Sequence, residues 1–132
     1  NYKNKWIKAK VDEKGLDVFA KVDFEYPHAV ASIKAGTGVK SEGELIISGT
    51  QGYVYVPAPW WKTDYFEIRY ENPADNKRYF YQLDGEGIRY EIVEFLRAIN
   101  GISIGMNIER SVTHAISGVI EDFNKGEGLS II

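Results

Sequence analysis

"LDVFAKVDFE", residues 16–25, is the stretch that decides the fold. Apolar side chains recur at every second position, and charged side chains lie between them. The apolar set is Leu16, Val18, Ala20, Val22 and Phe24, and the opposite set is Asp17, Lys21, Asp23 and Glu25, with Phe19 among them. This period of two is typical of a strand with one dry face, and it favours an antiparallel sheet.

The same period extends towards both ends of the chain. Ile7, Ala9 and Val11 alternate before the stretch, and a hairpin turn at 13–15 separates the two segments. Residues 29–35 alternate after a break at 26–28, and "GTGVKSEG", residues 36–43, reads as a loop. The first part of the chain therefore predicts three strands.

A second group of strands follows the loop. "ELIISGTQGYVYVP", residues 44–57, predicts a strand, a tight turn and a strand, because Gly49 and Gly52 flank two turn residues. "YFEIRYE" and "KRYFYQL" predict two more strands, which the turn residues of 72–76 separate. Aromatic side chains lie on both faces of these strands.

The hydrophobic period changes near residue 88. One helical stripe predicts a helix that ends at Gly101, and a second stripe over 108–123 predicts another helix; "NKGEGLSII" is compatible with a last strand. Strands followed by helices predict an α+β fold. We expect a single domain over 1–132: an open, mostly antiparallel β-sheet of about six or seven strands with two C-terminal helices packed on one face.

Composition narrows the function classes. The chain has 132 residues, 44% of them hydrophobic, a net charge of −3 and no Cys. The hydrophobic content excludes a disordered chain, and the absence of Cys excludes thiolate metal sites. The negative net charge disfavours nucleic acid as a partner. The sequence has no apolar run of the length that a membrane helix needs and no signal peptide at its start, so we expect a cytoplasmic protein without membrane contact. "NYKNKW" reads as a chain entered midway, which predicts a fragment of a longer protein.

The stretch "LDGEGIRYE", residues 83–91, resembles a phosphate-binding loop only superficially. A dinucleotide fingerprint needs a third glycine three residues after Gly87, and Tyr90 occupies that position. Asp84 and Glu86 add negative charge where a pyrophosphate would lie, and they suit the positive end of a helix. The sequence therefore predicts no cofactor-binding residue in this chain, and no binding of NAD or NADP by this chain alone.

The ionisable residues do not form a recognisable catalytic set. His28 in a turn and His114 in the last helix favour solvated or packing roles, since neither has carboxylates at helical spacing to share a metal. Ser111 is too close to His114 in sequence to form a triad with it. Glu86, Glu91 and Glu94 favour a solvated helix face over an acid/base pair. We expect no metal site and no catalytic residue.

"PAPWWKTDYF", residues 57–66, has two interpretations. The structural one is an anchor at a strand edge, with one indole in the core and the other half exposed. The functional one is a wall of a sugar site, where indole rings stack on C–H faces. The first is favoured, and both remain open at this point.

The order of motifs resembles the C-terminal domain of the glucose-fructose oxidoreductase / inositol dehydrogenase / rhizopine-catabolism (Gfo/Idh/MocA) family over roughly residues 5–123. The more specific parts are "I-x-G-T-x-G-x-(apolar)-x-(apolar)-P" at 47–57 and "G-x-G-x-x-x-E-(apolar)-x-x-F-(apolar)-x-x-I" at 85–99. The resemblance implies an open sheet that completes a substrate site and builds the oligomer. It also implies an N-terminal Rossmann domain that binds NAD or NADP, and hydride transfer on a sugar, polyol or cyclitol.

The chain lacks the family's Glu-Lys-Pro motif and its Asp-x-x-x-His helix, so no catalytic residue can be carried over. The expected function is therefore that of the substrate-side and oligomerisation domain of such an oxidoreductase, without the Rossmann domain. The alternative is a stand-alone binding or scaffold domain. Candidate substrate-binding residues are Trp60, Trp61, Arg89 and Tyr90: aromatic rings for a sugar face and a guanidinium for a hydroxyl or carboxylate.

The expected partners are a small-molecule substrate and a second copy of the chain. Two helices can shield only one sheet face, and Phe19, Tyr53, Tyr55 and the aromatics of 79–83 remain on the strands. Tyr mixed with charged residues is common at interfaces. We expect a dimer or a higher even-numbered oligomer that forms through the open sheet face.

Overall fold

The alternating stretch around Phe24 is a strand in the computed structural model, which describes residues 2–85, 87–102 and 109–132. These described residues form eight strands, two α-helices and a 3₁₀ turn at Pro73–Asp75. The strands are β1 (Asn4–Val11), β2 (Asp17–Glu25), β3 (Val30–Ala35), β4 (Leu45–Ser48), β5 (Gly52–Val56), β6 (Tyr65–Tyr70), β7 (Lys77–Phe80) and β8 (Leu129–Ile131), and the helices are α1 (Ile88–Ile99) and α2 (Arg110–Lys125). The chain divides into two compact units, one formed by 1–41 with 106–132 and the other by 42–105.

The first unit contains a four-stranded sheet in the order β3-β2-β1-β8. Its first three strands are antiparallel neighbours, and β8 joins parallel to β1. At the β1–β2 turn, the Asp12 carboxylate accepts the Leu16 N–H at 2.9 Å, and Gly15 adopts φ 79°. Ile7, Ala9 and Phe24 are buried, which places the core of this unit on the face predicted from the period of two.

Helix α2 belongs to the same unit and is tied to its sheet by an ion pair between Lys5 and Asp122. The hydrogen bond from Lys5 to this carboxylate raises the pKa of the ammonium group. The helix ends at Gly126, whose φ of 75° is left-handed and whose N–H bonds to the last carbonyls. This is the usual glycine end of a helix.

The second unit contains an antiparallel sheet in the order β4-β5-β6-β7. The β4–β5 turn closes with a hydrogen bond from the Gly49 N–H to the Gly52 carbonyl at 2.8 Å. Gly52 must be small, because a Cβ there would lie 2.5 Å from the Arg69 carbonyl oxygen. At the β6–β7 turn, the Asn72 side chain accepts the Ala74 N–H at 3.2 Å.

Helix α1 also belongs to the second unit. It follows Gly87, which has φ 90°, and it ends before Asn100 and Gly101. The apolar side chains of its predicted stripe are all exposed: Ile88, Ile92, Val93, Phe95, Leu96 and Ile99. Helix α1 therefore has an exposed apolar face.

The predicted α+β class is confirmed: the sheets are open and mostly antiparallel, and both helices lie in the C-terminal part. The described strands number eight rather than six or seven, and they form two sheets. After β3 the chain folds back over β2 at Gly36, and the Gly38 N–H donates a hydrogen bond to the Val18 carbonyl at 2.9 Å. Residue 108 of the second predicted stripe and Glu86 lie outside the described residues.

Candidate functional site

A polar cavity in the second unit is the candidate site. Its volume is about 470 Å³, and small-molecule sites commonly have volumes of about 300–1,000 Å³. Two segments form its walls, the loop from Pro57 to Tyr65 and the loop from Gln82 to Gly85. Both segments are contiguous in the chain with motifs of the family resemblance, the hairpin that ends at Pro57 and the helix motif that begins at Gly85.

The first wall is shaped by two prolines and a tight turn. A cis peptide bond joins Ala58 to Pro59. The Lys62 N–H bonds to the Pro59 carbonyl at 2.9 Å, and the Trp60 N–H bonds to the Gly43 carbonyl at 2.8 Å. These hydrogen bonds fix the loop between β5 and β6, and they bring Lys62, Thr63 and Asp64 to the cavity.

The second wall is held by residues on both of its sides. The Tyr81 N–H bonds to the Asp64 carbonyl at 2.7 Å, which joins this wall to the first. The Asp84 N–H bonds to the Tyr90 hydroxyl at 2.9 Å, and the Asp84 carboxylate forms an ion pair with Arg89. Gly85 takes φ 78° and allows the chain to turn towards α1. The start of α1 therefore supports this wall.

The lining offers both hydrogen-bond donors and acceptors. Lys62 supplies an ammonium group, Asp64 a carboxylate, and Gln82 an amide that can donate and accept. Pro57 and Leu83 add apolar surface. The cavity therefore combines polar and apolar surface.

The four residues predicted for substrate binding border this region without lining the cavity. Arg89 and Tyr90 reach its second wall through Asp84. Trp60 and Trp61 belong to the first loop, and their rings pack edge to face with centroids 6.0 Å apart. Both indoles are exposed, so the expectation of one indole in the core is wrong; the rings cover each other's edges instead.

Trp61 has a structural contact of its own. A Cβ at Gly43 would lie 3.2 Å from its ring, so the ring packs closely over the Gly43 backbone. The structure therefore separates the two predicted pairs: the indoles pack against each other and Trp61 against Gly43, whereas Arg89 and Tyr90 hold the second wall.

The lining residues Lys62, Asp64 and Gln82 were missed from the sequence. The first two lie inside the stretch "PAPWWKTDYF", in which the predicted ligand contacts were the two indoles. Gln82 lies 18 residues beyond Asp64 in the chain, and it reaches the cavity through the hydrogen bond between Tyr81 and Asp64. A single glutamine in the sequence does not indicate that it lies next to residues 18 positions earlier in the chain.

The other candidate groups show no assembly for catalysis. His28 and His114 are exposed, and the Glu94 carboxylate pairs with Arg97 at 2.7 Å along α1. Among the described residues, no group of three or more His, Asp or Glu side chains could hold a metal ion. The same part of the chain contains no helix with the length and apolar character that a membrane crossing requires.

The start of α1 does not fit a dinucleotide. The Asp84 carboxylate stands beside it and is paired with Arg89, the side chain that could otherwise neutralise a phosphate. The Tyr90 hydroxyl accepts the N–H of Asp84, so this N–H is not available to an anion. These residues hold a loop, and they do not form a pyrophosphate cradle.

One face of the second sheet combines tyrosines with arginines. We call it the tyrosine–arginine face; it contains Tyr53, Tyr55, Tyr65, Glu67, Arg69, Arg78 and Phe80. The Arg69 guanidinium lies 4.3 Å from the Tyr55 ring centroid, and that of Arg78 lies 4.8 Å from Tyr65. Such cation–π contacts hold both cations flat on the sheet.

Glu67 lies between the two arginines of this face. Its carboxylate accepts hydrogen bonds from Arg78 at 2.8 Å and from Arg69 at 2.6 Å, and these bonds lower the pKa of Glu67. The Tyr53 hydroxyl and Glu67 in turn raise the pKa of Arg69. The charges of this face therefore form one network with a net positive charge.

An apolar cavity of about 400 Å³ lies in the first unit, between α2 and the strands β2 and β3. Phe24, Ile33, Ile116 and Ile120 contribute to its walls. Its walls offer few polar groups to orient a hydroxylated ligand, so the polar cavity of the second unit is the better candidate site.

Comparison with known proteins gave no relative: no protein-family model matches the sequence, and no curated protein matches it with significant similarity.

Proposed function

We propose that the chain is the substrate-side and oligomerisation domain of an NAD(P)-dependent oxidoreductase that acts on a sugar, polyol or cyclitol. One observation carries this proposal. The hairpin motif of 47–57 and the helix motif of 85–99, which carry the family resemblance, meet at the polar cavity, since Pro57 and Gly85 both line it. Two motifs far apart in sequence thus meet at one polar cavity, which supports a site for a small polar ligand there.

The residues of this chain would bind and orient the substrate. Asp64 and Gln82 line the cavity and would hydrogen-bond hydroxyl groups, and Arg89 and Tyr90 hold the loop that carries Gln82. The nicotinamide cofactor would be NAD or NADP, bound by an N-terminal Rossmann domain outside this chain, and it would supply hydride transfer. The residues at the start of α1 do not fit it, and no catalytic step is assigned to this chain.

Two observations test this function: the enzymatic activity of the complete gene product, and the sequence that its gene encodes before this chain. The complete gene product is assayed with a panel of sugars, polyols and cyclitols and with each nicotinamide cofactor. We expect cofactor reduction with at least one compound, and Asp64→Asn should raise the KM for that compound while the KM for the cofactor stays constant. A gene that encodes no dinucleotide-binding unit before this chain would refute the oxidoreductase proposal.

The oligomer part of the proposal rests on the tyrosine–arginine face. Phe80 is 72% exposed on this face and Tyr53 is exposed beside Arg69. Tyrosine and arginine are the residue types most enriched at the centres of protein interfaces. A second copy that presents the same face would form a two-fold pair, with about 800 Å² buried on each partner in an interface of standard size.

Sedimentation at micromolar concentrations tests this pairing with two matched variants. Phe80→Glu should yield the 15.0 kDa monomer, because it places a carboxylate in the interface. Phe95→Glu is the control, since Phe95 is 65% exposed on α1 and lies outside the tyrosine–arginine face. Dissociation by the control variant alone would show that the interface is formed by α1.

The alternative function is a stand-alone binding or scaffold domain. The exposed apolar stripe of α1 favours it, because an apolar surface on a helix is a common way to bind another protein. The two functions differ in one measurement: the scaffold alternative predicts no cofactor reduction by the complete gene product with any compound of the panel.

A further inference from the structure

We propose that Asn100 is a self-modification site that the last turn of α1 protects: when this turn opens, the Asn100 side chain reacts with the backbone of Gly101 and becomes aspartate or isoaspartate. Asn100 is the one asparagine of the sequence that a glycine follows. Glycine has no side chain to hinder the approach of its backbone nitrogen, and its backbone adopts more conformations than that of other residues. Both residues are exposed at the end of α1.

The reaction needs only water in addition to these two residues. The backbone nitrogen of Gly101 gives its proton to the solvent and forms a bond to Cγ of Asn100, and the side-chain nitrogen takes up a proton and leaves as ammonia. The product is a five-membered succinimide ring. Water then opens this ring at one of its two carbonyl groups, which yields aspartate or isoaspartate, and no oxidant or reductant is needed.

Both reacting groups are held by hydrogen bonds in the folded helix. The side-chain nitrogen of Asn100 donates to the Leu96 carbonyl at 2.8 Å. The backbone N–H of Gly101, whose nitrogen has to attack, donates to the Ala98 carbonyl at 3.2 Å. A hydrogen bond disfavours loss of the donated proton and fixes the side-chain amide, so the last turn has to open before the reaction can start.

The end of α1 is held weakly enough to open. The helix has 12 residues, and none of them is buried. Its last apolar side chains are exposed, with 65% for Phe95 and 65% for Ile99. Helices shorter than about 12–15 residues are marginal in water unless packing supports them, and helix ends open at little cost in free energy. The folded chain is therefore modified, but more slowly than an unfolded chain.

The modification in turn loosens the end of α1. A new aspartate places a negative charge at the C-terminal end of the helix, where the helix dipole is also negative. Both products lack the side-chain N–H that binds the Leu96 carbonyl, and isoaspartate adds one carbon to the main chain before Gly101. Conversion of Asn100 therefore favours the open turn, and it alters the apolar face of α1 on which the scaffold alternative rests.

Incubation of the chain at mildly alkaline pH, followed by mass spectrometry of its peptides, tests the inference. The rate of conversion at Asn100 is measured in the folded chain and in the chain unfolded by urea, and Asn76 and Asn124, each followed by lysine, serve as internal references. In the folded chain we expect Asn100 to convert faster than both reference asparagines. This rate should be at least tenfold lower than the rate at Asn100 in urea.

Two matched variants test the protection by α1. Ala98→Gly changes an exposed residue of the last turn, and it should speed conversion about fivefold, because glycine in place of alanine destabilises a helix by about 1 kcal/mol. Ala74→Gly changes an exposed alanine in the 3₁₀ turn of the same unit and should leave the rate within twofold. Dispersed amide spectra of both variants would show that they are folded.

Two kinds of result would overturn the inference. Conversion at Asn100 that is no faster than at Asn76 and Asn124 would show that it is not a modification site. Equal rates in the folded chain and in urea, or an unchanged rate in the folded Ala98→Gly variant, would show that the last turn of α1 does not protect it.

Discussion

The substitution Ile7→Ala should destabilise the first unit strongly. Ile7 is 1% exposed at the centre of its sheet, next to the equally buried Ala9 on the same face. The change removes three carbon atoms, and at about 0.8 kcal/mol per buried methylene group this costs about 2.4 kcal/mol. The cavity that remains adds to this, and buried Ile→Ala changes cost about 2–5 kcal/mol in total. We therefore expect a loss of about 3–4 kcal/mol in the free energy of unfolding.

Ile33→Ala is the matched control. The register places Ile7 opposite Val22 and Val22 opposite Ile33, so all three side chains lie in one row on one face. Ile33 is 58% exposed on the edge strand. It has less than half of the side-chain surface to lose and leaves no cavity, so its removal should cost about 1 kcal/mol.

The assay is urea unfolding followed by the amide signals of β1 and β2. Tryptophan fluorescence would mix Trp6 with Trp60 and Trp61 of the other unit, so amide signals are the better probe. With a denaturant slope of about 1.5 kcal/mol per molar urea, the two variants should differ in midpoint by about 1.5 M. Equal midpoints would refute the position of the core, because they would show that Ile7 and Ile33 are buried to the same extent.

Three further predictions use the contacts described above. Gly126→Ala should lower the free energy of unfolding by about 1 kcal/mol, measured by thermal unfolding, because φ is 75° there, whereas Gly118→Ala inside α2 should raise it by about 0.5–1 kcal/mol. The opposite order would contradict the position of the helix end. Hydrogen bonds from Arg78 and Arg69 hold the pKa of Glu67 below its ordinary value of 4.5, so these bonds stabilise the fold above pH 4.5 and the stabilisation is lost as the pH falls through the lowered pKa. In an acid unfolding titration, Glu67→Gln should therefore lose less stability than the parent chain, and an unchanged acid profile would count against the network. Arg89→Ala should raise the KM of the complete protein for its substrate by about fivefold at most, as expected for an exposed ion pair that supports a wall, while Arg97→Ala should have no effect. An increase far above tenfold would mean that Arg89 contacts the substrate.

The strands were predictable because each carries its own period. The alternation at 16–25 is visible without any knowledge of partners, and the β4–β5 hairpin is fixed by Gly49 and Gly52 on either side of its turn. Helix α1 is equally local, since its stripe and its glycine ends lie within 15 residues of each other in the sequence. Local patterns of this kind depend on the backbone geometry of one element only.

The division into two sheets was not predictable from these patterns. The chain after β3 folds back closely over β2 at Gly36, where a Cβ would lie 2.7 Å from the Val18 carbonyl oxygen, and the strand patterns do not indicate this contact. The parallel pairing of β8 with β1 likewise joins residues about 120 positions apart. A period of two reports which face of a strand is buried, and it carries no information on which strand lies next to it.

The candidate site was half predictable for the same reason. Trp60, Trp61, Arg89 and Tyr90 all lie next to the walls of the cavity, and their role in substrate binding stays a prediction. Their roles and the lining itself depend on the contact between Tyr81 and Asp64, which joins two loops through one backbone hydrogen bond of 2.7 Å. A long-range backbone contact of this kind leaves no trace in residue types.

The cavity also shows how scaffold and specificity are separated in this chain. The motif residues at its edges, Pro57 and Gly85, act through the backbone: the proline restricts φ, and the glycine adopts φ 78°. The polar residues of the lining lie outside both motifs: Lys62, Asp64 and Gln82. Sequences with the same motifs can therefore share the walls and differ in the lining, so the motifs argue for the architecture of the site, and the ligand has to be read from the lining.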